Sequence, residues 1–284
     1  MAKSNGLYYK IFEQLQFVYN NGSVLNKISK YLMKFYKLLL NFMNSSGIKK
    51  RMKGLDDKKY SKLRGYKDIH KGKRCFVICT GPSLTVDDVN KLKNEYTFGM
   101  NSIIKMFDKT DWRPTYYTIS DALVYDKLKN EQAFKNIKAK FVASDIARVE
   151  KINKDDIAYY VDGYECFKYG HAVHFSDNVY VKVFAGDTIT YDTLQLAAYM
   201  GFKEIYLLGC DSDYSGSKKH FSEYFDKNSK IGQTDFDVNH LFESYKTAQN
   251  YCKTHDLKIY NATRGGKLEV FPRVDFDSLF DDKK

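Results

Sequence analysis

Residues 74–84 constrain the fold of this chain more than any other stretch. Five strand-forming residues, 75–79, stop abruptly at the turn Thr-Gly-Pro-Ser of residues 80–83. A helix-start pattern follows at once, because Thr85 and Asp88 have the spacing of a capping box. A strand, a tight glycine turn and a helix N-terminus together present backbone N–H groups and a positive dipole end to an anion. The stretch therefore predicts the first turn of a nucleotide-binding α/β domain.

Short apolar runs alternate with helical patterns from residue 73 onward. The strand candidates are 75–79, 96–100, 116–119, 141–143, 157–160, 181–183, 205–208 and 258–260, and the helix candidates are 86–93, 122–129, 191–200 and 238–255. Several of these strands lack polar alternation, which is typical of a sheet covered on both faces. The pattern predicts an α/β fold with a Rossmann-like, mainly parallel open sheet and helices on both faces. We place this domain at residues 73–284.

Polar side chains follow four of the predicted strands. The strand ends are residues 80–83, 101–102, 120–121 and 209–213, and the candidate site residues among them are Thr80, Gly81, Pro82, Ser83, Asn101, Ser120, Asp121, Gly209, Asp211 and Asp213. In an open parallel sheet the ligand lies at the carboxyl ends of the strands, where the chain order reverses. Structural loops favour the same residue types, but their recurrence at four successive strand ends favours a nucleotide site.

A second candidate site lies at residues 185–191, Ala-Gly-Asp-Thr-Ile-Thr-Tyr. Glycine and hydroxyl groups stand here directly before a predicted helix. Thr188 is therefore either a ligand for an anion or sugar, or a simple helix cap.

The first 72 residues form a separate helical and basic segment. Residues 7–19 and 24–43 are predicted helices, and the polar run 44–47 is predicted to end the second one. Apolar residues at steps of three or four make a stripe on that second helix: Leu25, Ile28, Leu32, Phe35, Leu39 and Phe42. Twelve basic residues against three acidic ones follow within residues 49–74. Such a segment predicts either an anionic membrane surface or packing against the domain or another protomer.

Three further features bear on the compartment and the partners. The five cysteines contain no Cys-x-x-Cys pair, which predicts a reducing compartment and no structural zinc. The first residues carry no signal-peptide pattern, and no run of about 18 apolar residues occurs. We therefore expect a cytoplasmic protein, peripheral at the inner face of the membrane if it binds lipid. The basic run lacks regularly spaced aromatic residues, so we expect no nucleic-acid partner.

Several stretches resemble a known family of enzymes. Residues 77–84 resemble the glycine-proline-serine turn of bacterial lipooligosaccharide sialyltransferases, and 99–101 resemble their second-strand asparagine. Residues 196–211 resemble their helix-glycine-strand segment ending in Gly-x-Asp. The set is also similar to a wider family that includes the archaeal-type 6-hydroxymethylpterin diphosphokinase and resembles flagellin nonulosonic-acid transferases. The closing stretch 259–272 is typical of that wider family, so the resemblance covers about residues 73–272.

The resemblance implies a glycosyltransferase that uses a CMP-nonulosonic acid, such as CMP-sialic acid, to extend a cell-surface glycan without a metal cofactor. It implies that residues 81–83 face the nucleotide, that Asn101 lies near the cytidine and that Tyr214 touches the donor phosphate. It also implies a general base at about the position of His240. His220 is the second candidate base, since an imidazole with an unperturbed pKa of about 6.5 suits this role.

Other functions stay open from the sequence. This chain has Thr80 where the sialyltransferase turn has asparagine, and residues 188–191 lack the Thr-Ser-Gly pattern of those enzymes. A pterin-type diphosphokinase would use ATP with Mg²⁺ held by carboxylates such as Asp121, Asp211 and Asp213. A non-enzymatic nucleotide-binding protein at the membrane is the third alternative.

Overall fold

The computed structural model describes residues 31, 35, 42, 44–213 and 238–283. The strands are β1 (Arg74–Ile78), β2 (Tyr96–Met100), β3 (Tyr116–Ile119), β4 (Lys140–Ala143), β5 (Ile157–Tyr159), β6 (Val161–Asp162), β7 (Val183–Phe184), β8 (Glu204–Leu208) and β9 (Lys258–Asn261). The helices are α1 (44–52), α2 (Val86–Lys91), α3 (Ala122–Leu128), α4 (Gln132–Lys135), α5 (Ile146–Val149), α6 (Tyr164–Tyr169), α7 (Ile189–Tyr199) and α8 (Val238–Thr254). Short 3₁₀ helices cover Ser61–Tyr66, Asn101–Met106 and Asp277–Lys283.

Seven strands form one parallel sheet in the order β5-β4-β3-β2-β1-β8-β9. The chain builds outward from β1 to β5 and then returns to place β8 on the other side of β1. The chain order therefore reverses between β1 and β8, where open α/β sheets bind their ligands. The predicted fold class, a mainly parallel open sheet, is confirmed.

The sheet is covered on both faces, as the apolar strands predict. Along β1, Cys75 and Val77 pack in one apolar cluster, whereas Phe76 and Ile78 pack in the cluster on the opposite face. Helix α7 lies in the first of these layers, and nine of its eleven residues are buried. It contacts both β1 and α8, so it is enclosed between the sheet and the last long helix.

The prediction of a strand at 181–183 is wrong in its position and in the sheet to which the strand belongs. The strand is β7, Val183–Phe184, and it pairs with β6 in a separate two-stranded sheet. Residues before it form a turn: the side chain of Asn178 accepts a hydrogen bond from the Tyr180 N–H, and its backbone oxygen accepts one from the Val181 N–H. This Asn-centred turn outweighs the strand propensity of the apolar residues that follow it.

The prediction that the polar run 44–47 ends a helix is also wrong, because residues 44–52 are helical. This helix ends at Gly54, whose φ of 71° lies in the left-handed region. The Gly54 N–H donates to the carbonyl oxygen of Arg51, and the Leu55 N–H donates to that of Lys50. A glycine in the left-handed conformation ends a helix more effectively than a polar run does. The predicted helix 7–19 and most of 24–43 lie outside the described residues.

Part of the N-terminal segment packs on the core of the sheet. Arg51 is buried, forms a 2.6 Å ion pair with Asp57 and lies 4.6 Å from the ring centre of Tyr60. Tyr60 and Leu63 belong to the same apolar cluster as β1. The boundary at residue 72 stays a prediction. Within the part of the chain that the structure describes, no helix combines the length and the apolar character that a membrane span requires.

Candidate functional site

A cleft with a volume of about 110 Å³ opens at the switch point between β1 and β8. It is lined by Cys79, Thr80, Gly81, Met100, Asn101, Thr188, Ile189, Thr190, Gly209, Cys210, Asp211, Ser212, Asp213 and Tyr245. Six of the predicted nucleotide-site residues are in this wall: Thr80, Gly81, Asn101, Thr188, Gly209 and Asp211. The fold thus brings the ends of β1, β2 and β8 together with the start of α7.

Gly81 is the point where the loops after β1 and β8 meet. A Cβ on Gly81 would lie 1.9 Å from Oδ2 of Asp211 and 2.5 Å from the carbonyl oxygen of Gly209. The Gly81 N–H donates to that carbonyl oxygen at 2.8 Å. The Ser83 hydroxyl donates to Oδ2 of Asp211, also at 2.8 Å. Only a glycine leaves room for this contact, which fixes the turn against the Asp211 side chain.

The turn after β1 has fewer free backbone N–H groups for an anion than the sequence suggests, and its role at the nucleotide stays a prediction. Its Gly81 N–H is already bonded to Gly209, and Pro82 has no N–H to offer. The start of α2 is closed by its own capping box, since Thr85 Oγ1 accepts from the Asp88 N–H and an Asp88 oxygen accepts from the Thr85 N–H. The Asp88 carboxylate therefore compensates the positive end of this helix.

Helix α7 brings its N-terminus into the cleft instead. Thr188, Ile189 and Thr190 all line the wall, and the Thr188 hydroxyl caps the helix by accepting from the Thr190 N–H at 3.3 Å. Gly186 permits the close approach, because a Cβ there would lie 2.4 Å from the ring of Tyr191. The macrodipole of this eleven-residue helix places a partial positive charge at the cleft. Thr188 is thus both a helix cap and a wall residue.

Asn101 lines the same cleft and carries a buried acceptor that has no partner among the described residues. Its backbone has a φ of 46°, in the left-handed region, and its carbonyl oxygen accepts a 2.6 Å hydrogen bond from the Tyr117 hydroxyl. The side-chain oxygen Oδ1 is buried and has no hydrogen-bond partner among the described residues. An unpaired buried acceptor costs about 1–3 kcal/mol. A ligand N–H or O–H group that bonded to Asn101 would recover that free energy.

The loop after β8 is held by the closing stretch of the chain. Gly209 adopts a φ of 66°, which turns the chain at the end of the strand. The Cys210 N–H donates to Oγ1 of Thr263 at 2.9 Å, and the Lys267 N–H donates to the carbonyl oxygen of Asp211 at 2.7 Å. This bracing gives the Asp211 side chain a fixed position beside Gly81.

The carboxylates of the cleft already have partners on the protein. Oδ2 of Asp211 accepts from Ser83, and Asp213 forms a 2.9 Å ion pair with Lys267. Within the described parts of the chain, no group of three or more His, Cys, Asp or Glu side chains is arranged to hold a metal ion. Asp211 and Asp213 are the carboxylates of this cleft that could supply oxygen ligands to one.

The other predicted nucleotide-site residues lie outside the cleft wall. Pro82 and Ser83 follow Gly81 in the turn, where Ser83 acts through Asp211. Asp121 caps α3, since its Oδ1 accepts hydrogen bonds from the N–H groups of Leu123 and Val124 at 2.7 and 3.2 Å. Burial raises the pKa of Tyr159, and the nearby Ser120 side chain acts against that shift. The loop after β3 therefore supports its own helix and core rather than the cleft.

The predicted bases are not part of the wall either. His240 lies in the first turn of α8, and its imidazole packs against Gly170, where a Cβ would lie 2.6 Å from Cε1. Tyr245, on the same helix, does line the cleft. Tyr214 and His220 lie outside the described residues, so their roles stay predictions.

Three wall residues lie outside the strand-end and helix-start stretches that the sequence indicates: Cys79, Met100 and Tyr245. Cys79 directly precedes the turn at residues 80–83, so its position at the end of a strand was a usable signal. No local pattern marks Tyr245, because it reaches the cleft from the middle of a helix that is distant in sequence.

A buried carboxyl group lies beside the cleft in α7. Asp192 is buried, and the Tyr159 hydroxyl donates to its Oδ2 at 3.1 Å. Burial raises the pKa of Asp192 to about 8. The side chain is therefore mainly protonated at neutral pH and joins Ser120 and Tyr159 in one polar network.

Comparison with solved structures agrees with this architecture. The MAf glycosyltransferase from Magnetospirillum magneticum AMB-1 is similar over 90% of this chain and 43% of its own, with a TM-score of 0.50 and 14% identity. That likeness shows the shared α/β fold, and this chain spans less than half the length of that enzyme.

Two further structures match less closely. The Campylobacter jejuni sialyltransferase CstII, solved with cytidine-5'-monophosphate, matches 72% of this chain and 85% of its own at a TM-score of 0.46 and 16% identity. The monofunctional alpha-2,3-sialyltransferase Cst-I from the same organism matches 72% and 81% at 0.46 and 17% identity.

The sequence comparisons give the family. No curated protein sequence matches the chain. The model of a family described as 6-hydroxymethylpterin diphosphokinase MptE-like matches residues 48–217, from within α1 to just beyond the Asp211 loop. Because this match covers more than half of the 284 residues, the chain belongs to the MptE-like family.

Proposed function

We propose that this protein is a glycosyltransferase that takes the sugar of a CMP-nonulosonic acid and adds it to a cell-surface glycan or to its lipid-linked precursor. One observation carries the proposal: Asn101, whose Oδ1 has no partner among the described residues, and Thr188, at the N-terminus of α7, line one cleft at the sheet's switch point. The Asn101 oxygen can accept a hydrogen bond from an N–H or O–H group of a nucleoside, and the N-terminus of α7 suits a phosphate. The fold shared with a glycosyltransferase and the sialyltransferase-like motifs support the same assignment.

The proposed transfer breaks the bond between the anomeric carbon of the sugar and the phosphate oxygen. A new bond forms from that carbon to the acceptor oxygen, CMP leaves with the negative charge, and the acceptor hydroxyl gives up its proton. The positive end of α7 and the Thr188 hydroxyl stabilise the charge on the departing phosphate. Lys267 at the rim, now paired with Asp213, adds a cation close to this position.

A histidine is the proposed base for the acceptor proton. His240 starts the helix that carries the wall residue Tyr245, and His220 remains the second candidate. A base needs to reach the acceptor hydroxyl at hydrogen-bond distance only in the substrate complex. His240 lies outside the cleft wall, and this position suits contact with the acceptor instead of the nucleotide.

The family description favours a second candidate, a pterin-type diphosphokinase that uses ATP. Such a reaction would need Mg²⁺ bound to carboxylates at the phosphates, here Asp211 and Asp213. Binding of the ion there would compete with the Ser83 hydrogen bond and with the Lys267 ion pair. This competition favours the transferase over the kinase.

We also propose that the N-terminal segment holds the enzyme at an anionic, cytoplasmic membrane surface. Of nine exposed large apolar side chains among the described residues, six lie between residues 31 and 69: Tyr31, Phe35, Phe42, Met52, Leu55 and Ile69. Phe42 is 78% exposed and Met52 is 69% exposed. Exposed lysines surround them at positions 49, 50, 53, 58 and 67. Apolar and basic groups together are typical of a lipid interface.

Co-sedimentation with phosphatidylserine vesicles tests this membrane proposal. The double variant Phe35→Ser/Phe42→Ser should stay in the supernatant, whereas the control Tyr169→Ser, which removes an exposed aromatic elsewhere, should pellet like the wild type. Equal pelleting of all three proteins, or a stable dimer lost only in the double variant, would refute it in favour of protein packing.

Release of CMP from a CMP-nonulosonic acid tests the enzymatic proposal. Transferases of this chemistry hydrolyse the donor slowly when water replaces the acceptor, so CMP should appear in excess EDTA. ATP, Mg²⁺ and 6-hydroxymethylpterin should give no AMP. Formation of AMP that depends on Mg²⁺, without any CMP release, would establish the kinase instead.

A further inference from the structure

Two cysteines meet at the floor of the cleft, from strands that are distant in sequence. Cys79 follows β1 and Cys210 follows β8, and both line the wall. The two thiols are close enough to shift each other's pKa. Each side chain is mostly buried, 7% and 6% exposed respectively, and both cysteines are free.

Backbone pairing fixes the separation of the two residues. The Cys79 N–H donates to the carbonyl oxygen of Leu208 at 2.8 Å, and the Gly81 N–H donates to that of Gly209 at 2.8 Å. Cys79 therefore lies opposite Gly209, one residue from Cys210. Neighbouring strands about 4.8 Å apart and consecutive Cα atoms about 3.8 Å apart give a Cα separation of roughly 6 Å. That separation lies within the range found for disulfides.

The conformation of Gly209 brings the two sulfurs to the same side of the sheet. Side chains alternate between faces along a strand, so regular geometry would send Cys210 to the face opposite Leu207. Gly209 has a φ of 66°, which breaks this alternation. Cys210 consequently packs in the same apolar cluster as Leu207 and Cys79.

We propose that Cys79 and Cys210 form a reversible disulfide that closes the cleft to its nucleotide. This inference rests on the proposed function for the identity of the ligand, but the disulfide itself does not. Both residues border the turn and the loop whose contact shapes the wall, Gly81 with Asp211. Drawing the two sulfurs together to a bond length of about 2.05 Å shifts these loops towards each other.

The chemistry has a defined order and needs a peroxide as oxidant. Interaction with the Cys79 thiol, together with the hydrogen-bond contacts to Tyr245 and Ser212, lowers the pKa of Cys210, while the interaction with Cys210 raises the pKa of Cys79. The Cys210 thiolate attacks hydrogen peroxide, its S–O bond forms, the O–O bond breaks and hydroxide leaves. The Cys79 sulfur then attacks the sulfenic acid, and the displaced hydroxide takes the Cys79 proton as water. A dithiol reductant restores both thiols.

Peptide mass analysis of the full-length protein tests the disulfide. After peroxide and thiol alkylation, the wild type should keep three of its five thiols, and one cross-linked peptide pair should join Cys79 to Cys210 with the loss of two hydrogens. Cys79→Ser and Cys210→Ser should each abolish that pair, whereas the half-buried control Cys252→Ser should retain it. A wild type without this pair after peroxide, or one in which Cys79 or Cys210 is instead joined to another cysteine, would overturn the proposal.

Nucleotide binding to oxidised and re-reduced wild type tests the closure. The CMP affinity, derived from the shift in melting temperature, should fall at least tenfold after oxidation. It should return to the original value with dithiothreitol. A cross-linked protein that binds CMP as tightly as the reduced one would overturn the closure. If neither form responds to CMP, the proposed function fails, while the mass analysis still decides the disulfide.

Discussion

The hydroxyl of Ser83 donates a 2.8 Å hydrogen bond to Oδ2 of Asp211, across 128 positions of sequence. The two residues follow β1 and β8, which are neighbours in the sheet and flank its switch point. The bond joins the two loops at the point where Gly81 leaves space for the carboxylate. The shape of the cleft depends on this contact, and the first two predictions follow from it.

Replacing Gly81 with alanine should remove nucleotide binding. The added Cβ would overlap Oδ2 of Asp211 and the Gly209 carbonyl oxygen, so the loops have to separate, and overpacking of this kind costs about 1–3 kcal/mol. We expect CMP affinity to fall at least tenfold in calorimetry. The matched control is Gly65→Ala, because a Cβ at Gly65 meets no atom within 4 Å. Equal affinities for the two variants would show that the loop contact does not shape the site.

Replacing Asp211 should separate the roles of its shape and its charge. Asp211→Asn keeps an oxygen that accepts from Ser83, whereas Asp211→Ala leaves the hydroxyl unpaired and a gap beside Gly81. We expect the alanine variant to lose about 1–3 kcal/mol of unfolding free energy in urea. The asparagine variant should keep CMP affinity within a factor of three of the wild type, because only one hydrogen bond is altered. Loss of all binding in Asp211→Asn would indicate that the carboxylate charge, and hence a cation, is needed.

Replacing Asn101 with glycine or alanine should show whether its side chain binds the ligand or only supports the backbone turn. Its left-handed φ of 46° suits glycine better than alanine, so Asn101→Gly should be more stable than Asn101→Ala by about 1 kcal/mol. Both variants lose the unpaired Oδ1, and we expect both to bind CMP at least tenfold more weakly. Wild-type affinity in Asn101→Gly would mean that Asn101 serves the turn alone.

Asp192 should make the stability of the protein depend on pH. Its pKa is raised from 3.8 to about 8 by burial, so the folded state binds the proton more tightly than the unfolded chain does. The stability that this proton contributes is complete below about pH 4 and is lost as the pH rises to about 8. Asp192→Asn, which does not titrate, should therefore show a flatter profile in urea unfolding between about pH 5 and pH 8.5.

The control for that profile is Asp256→Asn. Asp256 is exposed, and its hydrogen bond with Lys203 lowers its pKa, so its substitution should leave the slope over the same pH range unchanged. Parallel profiles for wild type and Asp192→Asn would contradict a protonated Asp192 in the fold.

Much of the fold could be predicted because its signals are local. The apolar residues of β1, the glycine turn and the Thr85–Asp88 capping box each depend on neighbours in sequence, and the structure has all three. The exact strand order could not be predicted, because the placement of β8 beside β1 depends on a crossover of the chain. Sequence therefore indicated which strand ends carry polar groups but not which of them meet.

The candidate site shows the same limit at single residues. Thr85 and Asp88 could be predicted to start a helix, but that cap also removes the helix end as an anion site. The position of Asp121 after β3 suggests a role in the nucleotide site, yet its carboxylate caps α3. Polar residues at strand ends serve caps and ligands alike, and only the three-dimensional arrangement separates the two uses. Thr188 serves both.

Thermal denaturation with CMP and with ATP, each with Mg²⁺ and with EDTA, tests the central claim most directly. A ligand that binds only the native state at about 100 times its Kd adds roughly 2.7 kcal/mol of stability. We predict that CMP in EDTA raises the melting temperature of the wild type and of Gly65→Ala, but not of Gly81→Ala. Stabilisation by ATP with Mg²⁺ alone, or equal stabilisation of Gly81→Ala by CMP, would contradict a CMP-sugar site at the switch point.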